Sequence, residues 1–175
     1  CRRPRRRAGR FPQRATAREL GGVFRVLAGN LIELSPFATA MAQFFEVHPD
    51  NPQARLLKQA AALLAGGAVA AVPTDSSYAL VCHLDDKAAV ERLRRIRGVD
   101  DKHHLTLLCR DLSELASYAR VDNRQYRLLR AATPGPYTFI LEASKEVPRR
   151  LSHPSRKTIG LRLPAHKTLQ ALLEQ

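Results

Sequence analysis

The chain carries the stretch AVAAVPTDSSYAL at residues 68–80. A short apolar run ends at Pro73, four small polar residues follow, and the chain becomes apolar again at Tyr78. This pattern predicts a buried strand over 68–72 whose end presents hydroxyls and a carboxylate at a sheet edge, where α/β proteins bind ligands. An ordinary turn stabilised by Asp, Ser or Thr side chains accounts for the same residues equally well.

Helices and strands alternate on both sides of this stretch. A strand is predicted over 43–47, followed by a helix that Asn51-Pro52 opens and Gly66-Gly67 ends. Later helices are predicted over 86–97, from Asp111, over 123–131 and from Ala165, with strands over 105–109, 137–141 and 158–163. The last two strands have no helix between them, so we expect them to pair antiparallel. This order predicts a layered α/β fold with a mixed sheet and flanking helices.

Positive charge dominates the chain and is concentrated at its start. Lys and Arg number 29 against 16 Asp and Glu, for a formal net charge of +13. Such an excess favours anionic partners such as nucleotides, RNA or an acidic membrane surface. Nine arginines stand against two glutamates in residues 1–40. We interpret 1–40 as a basic, disordered extension and Met41 as the natural start. Residues 41–175 are then the domain, truncated at its C-terminus because Gln175 lies inside a helical pattern.

Several classes of protein are disfavoured by features that the sequence lacks. Its three cysteines have no metal-ligand spacing, which argues against a disulfide framework and favours the reducing cytoplasm. No apolar run reaches about 18 residues, so we expect no membrane span. His103-His104 has no Cys or acidic partner at metal spacing, so we expect no metal site there. The motifs GxxxxGK[ST], GxGxxG, HExxH and GxSxG are missing, so any ATP is not held by a Walker loop.

Two further motifs carry groups that suit an anionic or polar ligand. Arg95 and Arg97 end a predicted helix and match phosphate geometry, although arginines at that position also complement the helix dipole. In the second motif, Pro-Gly-Pro at 134–136 makes a rigid turn into a strand that carries Thr138. Gly135 in that turn permits close approach of a ligand, and a mere connection between elements is the alternative.

The segment KTIGLRLP, residues 157–164, places polar and apolar residues in alternation. Thr158, Gly160 and Arg162 therefore lie on one face of a predicted strand. A charged side chain in such a strand costs free energy unless it is paired, so Arg162 requires a partner or a wet sheet edge.

Two groups of basic residues are most simply interpreted as solvent-exposed surface. The series at helical spacing is a wet helix face or a phosphate-contact stripe, and it comprises Arg120, Arg124, Arg127 and Arg130. The second group is a solvated surface or a weak RNA-contact face, and it comprises Arg149, Arg150, Arg156 and Lys157.

The four motifs, in this order, resemble those of the YrdC-domain family, whose members include threonylcarbamoyl-AMP synthases. The family shows PTD[ST]xYGLG, KxR, PGPxT and TxGxRxP, and this chain has PTDSSYALV, RIR, PGPYTF and TIGLRLP. The segments MAQFFEVHPDNPQARL and LTLLCRDLSELASYA are similar to the YciO-type branch. The resemblance covers residues 41–175 and implies a YrdC-like twisted mixed sheet with a concave, positively charged surface.

The resemblance also implies an activity. L-threonine, bicarbonate and ATP give threonylcarbamoyl-AMP and pyrophosphate, which serves the N6-threonylcarbamoyladenosine modification of tRNA in the cytoplasm. Double-stranded RNA binding and Mg²⁺ at the leaving pyrophosphate are implied as well. The implied catalytic residues are Arg95 and Arg97. The implied residues for binding substrate or nucleotide are Thr74, Ser76, Tyr78, Thr138 and Arg162, and those for RNA are Arg149, Arg150, Arg156 and Lys157.

The chain departs from the family pattern at four positions, and a further motif lies beyond its end. Arg95 stands in place of the KxR lysine and Gly98 in place of the proline after it, while Ala79 and Val81 replace the glycines of YGLG. The family's later Ser-x-Asn segment would lie beyond Gln175. The change from lysine to Arg95 and the YciO-type character favour an alternative function, a noncatalytic RNA- or nucleotide-binding protein on the same scaffold. The retained PTDS, PGPxT and TIGLRLP motifs favour the enzyme.

Overall fold

The computed structural model describes residues 23–27 and 42–175, and within them it contains two four-stranded sheets and five helices. The strands are β1 (Val23–Leu27), β2 (Gln43–Glu46), β3 (Val69–Pro73), β4 (Tyr78–Cys82), β5 (Thr106–Leu108), β6 (Ala119–Arg120), β7 (Phe139–Ala143) and β8 (Thr158–Arg162). The helices are α1 (Ala54–Ala65), α2 (Lys87–Arg97), α3 (Leu112–Tyr118), α4 (Asn123–Ala132) and α5 (Lys167–Leu173). The predicted mixed α/β architecture is confirmed.

The first sheet has the strand order β2-β1-β3-β4, and all its neighbours are antiparallel. The predicted strand at 68–72 is β3, but β4 was not predicted, and it returns along β3 as a hairpin in which Pro73 pairs with Tyr78. Strand β1 lies within 1–40, the segment predicted to be an extension outside the domain. It instead pairs with β2 and β3, because strand pairing depends on distant backbone groups rather than on local periodicity. The predicted boundary at Met41 lies outside the described residues.

The second sheet has the order β5-β8-β7-β6 and is mixed. Strands β5 and β8 are parallel, while β8 with β7 and β7 with β6 are antiparallel. The expected antiparallel pairing of the last two strands is therefore confirmed. Because β8 lies between β5 and β7, its residues cannot reach solvent at a sheet edge, and this position matters for Arg162.

Side-chain caps set several helix boundaries. Asp86 accepts a hydrogen bond from the Ala89 N–H at 2.9 Å, and Gly98 ends α2 in the left-handed conformation at φ 66°. Asp111 caps α3 as predicted, through the Glu114 N–H at 2.8 Å. The prediction that Asn51-Pro52 opens α1 was wrong, because α1 begins at Ala54 after Gln53. Within the described residues, no helix has the length and apolar character needed to cross a membrane.

Each sheet has its own apolar core. The first core packs strands β2 and β3 against α1 and α5, with Phe45, Leu57, Val72 and Leu169 at its centre. The second core packs β8 against α3 and α4, with Leu115, Leu129, Ile159 and Leu161 at its centre. Aliphatic side chains make up most of both cores, as expected for a chain without Trp.

Candidate functional site

The turn between β3 and β4 is held together by Thr74. Its N–H and its hydroxyl both donate to the Ser77 carbonyl, at 3.0 and 2.5 Å, and its hydroxyl accepts from the N–H groups of Ser76 and Ser77 at 3.3 and 3.2 Å. The Thr74 side chain is therefore committed to the turn and only 5% exposed. The interpretation of this stretch as a turn stabilised by side chains is therefore correct for Thr74. The side chains of Asp75 and Ser76 make further contacts outside the turn.

Arg162 reaches this turn from strand β8. Its Nη2 donates to the carboxylate of Asp75 and, at 3.1 Å, to the hydroxyl of Ser76. The side chains of Arg162 and Asp75 are each only 14% exposed. The alternative of a wet edge strand is therefore wrong, because β8 is a central strand and its charged residue is paired. Residues far apart in the sequence meet here in one buried ion pair.

A cavity of about 1150 Å³ opens beside this ion pair. Of the residues predicted to bind substrate or nucleotide, those on its wall are Thr74, Tyr78, Thr138 and Arg162. Ser76 does not line the cavity but contacts Arg162. Burial raises the pKa of the Tyr78 phenol, so this side chain remains a neutral hydrogen-bond donor. The predicted polar residues therefore converge on one concave space.

The two predicted catalytic arginines occupy different surroundings at the end of α2. Arg97 lines the cavity, whereas Arg95 is exposed and is not part of its wall. Both arginines lie in the last turn of α2, where residues two apart on a helix point in different directions. That both reach one polyanion stays a prediction. Arg94, in the last turn of α2, is buried, and its Nη1 lies 3.7 Å from the carboxylate of Asp101.

Gly160 gives the cavity side of β8 a close-packed, flat surface. A Cβ at this position would lie 2.9 Å from the Thr106 hydroxyl and 3.4 Å from the Thr138 methyl group. Gly135, in contrast, is close to protein backbone and not to open space. Its N–H donates to the Leu163 carbonyl at 2.8 Å, and a Cβ there would lie 3.1 Å from the Ala132 carbonyl. The Pro-Gly-Pro turn therefore ties the start of β7 to the end of β8.

The chain matches the family model Sua5_yciO_yrdC, described as telomere recombination, over residues 62–175. It belongs to the Sua5/YciO/YrdC family. Over 134 residues it is 57% identical to the uncharacterized protein YciO of Escherichia coli strain K12, covering 77% of this chain and 65% of YciO. The crystal structure of E. coli YciO superposes with a TM-score of 0.69 over 73% of this chain and 62% of that one.

More distant family members carry functional names. The human threonylcarbamoyl-AMP synthase is 34% identical over 118 residues, which cover 67% of this chain and 42% of the human protein. The crystal structure of P. abyssi Sua5 complexed with L-threonine superposes with a TM-score of 0.66 over 71% of this chain and 36% of Sua5. The sequence identity between the two chains is 26%. The chain thus spans less than two thirds of the length of each of these relatives.

The predicted RNA-binding residues of this family member are not part of the cavity wall. Arg149, Arg150, Arg156 and Lys157 are all exposed, and none of them lines its wall. Arg150 donates to the Leu84 carbonyl at 2.8 Å, which leaves the rest of its guanidinium accessible. These charges are therefore exposed and are not part of the cavity wall, although Arg150 contacts the wall residue Leu84.

The two cysteines of the described residues are partly or fully shielded from solvent. Burial raises the pKa of Cys82, on the cavity wall, to about 11, and that of Cys109 to about 12. Both thiols are therefore protonated and weakly nucleophilic at neutral pH. His103 and His104 line the cavity, but no group of three potential His, Cys, Asp or Glu ligands occurs within residues 23–27 and 42–175.

Sequence reasoning missed His166, which follows β8 and precedes α5. Its Nδ1 is shielded from solvent and has no hydrogen-bond partner among the described residues. Five buried side-chain atoms share this property within the described residues, and three of them belong to Asp75, Arg162 and His166. Each such atom costs about 1–3 kcal/mol. No charge or spacing pattern signals this in the sequence, because it depends on burial.

Proposed function

We propose that this chain carries threonylcarbamoyl-AMP synthase-like activity. The threonine amine combines with bicarbonate to give a carbamate and water. A carbamate oxygen then attacks the α-phosphorus of ATP, the bond from that phosphorus to the β-phosphate oxygen breaks, and pyrophosphate leaves. The observation that carries the proposal is Arg162, which lies on the wall of the cavity of about 1150 Å³ and is held by Asp75 and Ser76.

The residues of the cavity suit the electrostatics of this reaction. Negative charge accumulates around the triphosphate, and fixed cations and hydroxyl donors stabilise it. Arg97 and Arg162 supply guanidinium groups on the wall, and Tyr78 and Thr138 supply hydroxyls. Mg²⁺ would arrive with ATP as part of the substrate and neutralise the leaving pyrophosphate. The threonine-bound state of the Sua5 relative supports threonine as the amino-acid substrate.

The product would serve tRNA modification in the cytoplasm. Threonylcarbamoyl-AMP is an activated mixed anhydride that a later step transfers to the adenosine amine. Exposed basic residues that are not part of the cavity wall suit double-stranded RNA or tRNA, because they can contact phosphates while the wall residues bind the substrates. These basic residues are Arg149, Arg150, Arg156 and Lys157.

The test is pyrophosphate release from the whole chain with ATP, bicarbonate and L-threonine. We expect release that requires threonine, with threonylcarbamoyl-AMP detected by mass spectrometry, and none with D-threonine in its place. Release that is the same with and without threonine would contradict the proposed reaction. Removal of residues 1–22 is the control for nonspecific effects of the basic arm.

The second candidate function is noncatalytic binding of RNA or nucleotide. The exposed position of Arg95, away from the wall, and the side chains of Ala79 and Val81 on the wall favour it. This function predicts RNA affinity that falls steeply with salt, because bound phosphates release counterions. Binding of RNA at low salt without any threonine-dependent pyrophosphate release would select this candidate.

A further inference from the structure

Helix α4 lies on the protein surface and contacts the core along one narrow side. Leu129 is its buried residue, Ala132 is half-buried, and every other residue of the helix is exposed. Residues three apart share one side of a helix, so these two define the side that faces the core. The opposite side of α4 therefore faces solvent along its whole length.

The arginines of α4 lie on this solvent side and have no acidic partner. Arg124, Arg127 and Arg130 follow one another at intervals of three residues, so each lies about 4.5 Å further along the helix axis. None of the three forms an ion pair or a side-chain hydrogen bond within residues 23–27 and 42–175. The helix itself contains no Asp or Glu. Three uncompensated positive charges therefore stand in one row.

Two large apolar side chains are exposed beside this row. Leu128 is 63% exposed and lies one turn after Arg124 on the same side of α4. Tyr137 is 58% exposed and adjoins the end of the helix through Gly135. A Cβ at Gly135 would lie 3.1 Å from the Ala132 carbonyl oxygen and 3.6 Å from the Tyr137 ring. Tyrosine and arginine are enriched at protein interfaces, and an exposed leucine beside them adds apolar contact area.

The combination of charge and apolar surface indicates which occupant fits. RNA supplies phosphates for the arginines, but its backbone gives Leu128 nothing apolar to pack against. A second copy of the chain, docked by the same surface, brings two sets of unpaired arginines together, which costs free energy. A helix with Asp or Glu every three or four residues has carboxylates about 4.5–6 Å apart along its axis, which matches the spacing of the arginines. Apolar residues between those carboxylates can cover Leu128.

We propose that α4 carries a docking site for a partner protein that presents an acidic amphipathic helix. The arginines pair with the carboxylates of that helix, and the two apolar side chains pack against its apolar residues. This α4 surface consists of Arg124, Arg127, Leu128, Arg130 and Tyr137. None of these residues lines the cavity, so the docking site is independent of the proposed synthase activity.

Fluorescence anisotropy of a labelled synthetic peptide, titrated with the whole chain, tests this site. The probe is a helical peptide with Glu at intervals of three and four residues around Leu, and its control peptide has Gln in place of each Glu. We expect Arg124→Glu/Arg127→Glu to weaken binding of the acidic peptide on the order of 100-fold and Leu128→Ser on the order of tenfold. A third peptide, with Lys in place of each Glu, is expected to bind the double variant better than the wild type.

The matched control is Arg55→Glu/Lys102→Glu. Both residues are exposed, lie outside α4 and do not line the cavity, and the change lowers the net charge by the same amount. It therefore measures the nonspecific attraction of a basic chain for an acidic peptide, which salt at 0.15 M largely screens, so we expect at most about a twofold loss. Equal losses in the two double variants, or equal binding of the Glu and Gln peptides, would overturn the proposal.

The other possible occupants give different results with the same variants. RNA at the α4 surface predicts that Arg124→Glu/Arg127→Glu weakens binding of labelled tRNA, while Leu128→Ser does not and the acidic peptide fails to bind. A second copy predicts a wild-type dimer in analytical ultracentrifugation that Leu128→Ser converts to a monomer. Either result contradicts docking of an acidic helix. The substituted side chains are all exposed, so circular dichroism is expected to show unchanged folding in every variant.

Discussion

Replacing Asp75 by Ala leaves the guanidinium of Arg162 buried without its counter-charge. Both side chains are only 14% exposed, and the Ser76 hydroxyl at 3.1 Å is the partner that remains for Nη2. Removal of one partner from a buried ion pair costs about 3–5 kcal/mol. Because both side chains keep some exposure, we expect the loss of stability to lie at the lower end of this range, about 3 kcal/mol. With a urea m-value of about 2 kcal/mol/M, the midpoint of unfolding falls by about 1.5 M.

Urea unfolding followed by far-UV circular dichroism measures this loss, and the matched control is the pair Arg120–Glu142. Those two side chains also form an ion pair, with Arg120 Nη1 at 3.0 Å from Glu142 Oε1, but they are 64% and 56% exposed. Glu142→Ala is therefore expected to cost at most about 1 kcal/mol. The double variant Asp75→Ala/Arg162→Met removes both charges and loses about 1–3 kcal/mol less than the two single losses together. A midpoint shift for Asp75→Ala no larger than that for Glu142→Ala would refute the reasoning.

Three further outcomes follow from the cavity and the cores. Arg97 lies on the cavity wall, so Arg97→Ala is expected to slow threonine-dependent pyrophosphate release on the order of 100-fold, whereas Arg95→Ala changes it less than about twofold. Equal losses in the two variants would contradict the role of Arg97 on the wall. A Cβ at position 160 would lie 2.9 Å from the Thr106 hydroxyl, so Gly160→Val overpacks the sheet and lowers the free energy of unfolding by about 1–3 kcal/mol. Adding Thr106→Ala recovers part of this loss in the same urea assay. Cys109, with its pKa raised by burial from 9.0 to about 12, reacts slowly with maleimide at pH 8 until urea unfolds the chain, as peptide mapping will show. Equal labelling of Cys109 in native and unfolded protein would contradict its burial. Because the folded form holds the thiol proton more tightly, the stability that this thiol contributes is complete below pH 9 and is lost between pH 9 and 12.

The parts of the fold that local chemistry dictates could be predicted. A helix was predicted over 86–97, and α2 spans Lys87–Arg97 with Asp86 as its cap and Gly98 after it, because caps and periodicity act within a few residues. Strands β1 and β4 were missed for the opposite reason. β4 follows the Thr74 turn and is half-buried along most of its length, with no alternation of exposed and buried residues to indicate a strand. Only its pairing with β3 fixes it.

By itself, the sequence determined the chemistry of the candidate site: a Thr-Asp-Ser turn after a buried strand, and an arginine that needs a partner in another strand. The tertiary structure decided which of these groups meet. It joined Arg162 to Asp75 and placed Arg97 and not Arg95 on the cavity wall. The physical reason is that residue type and spacing act locally, whereas burial and contacts across more than 80 residues depend on how the sheets and helices pack.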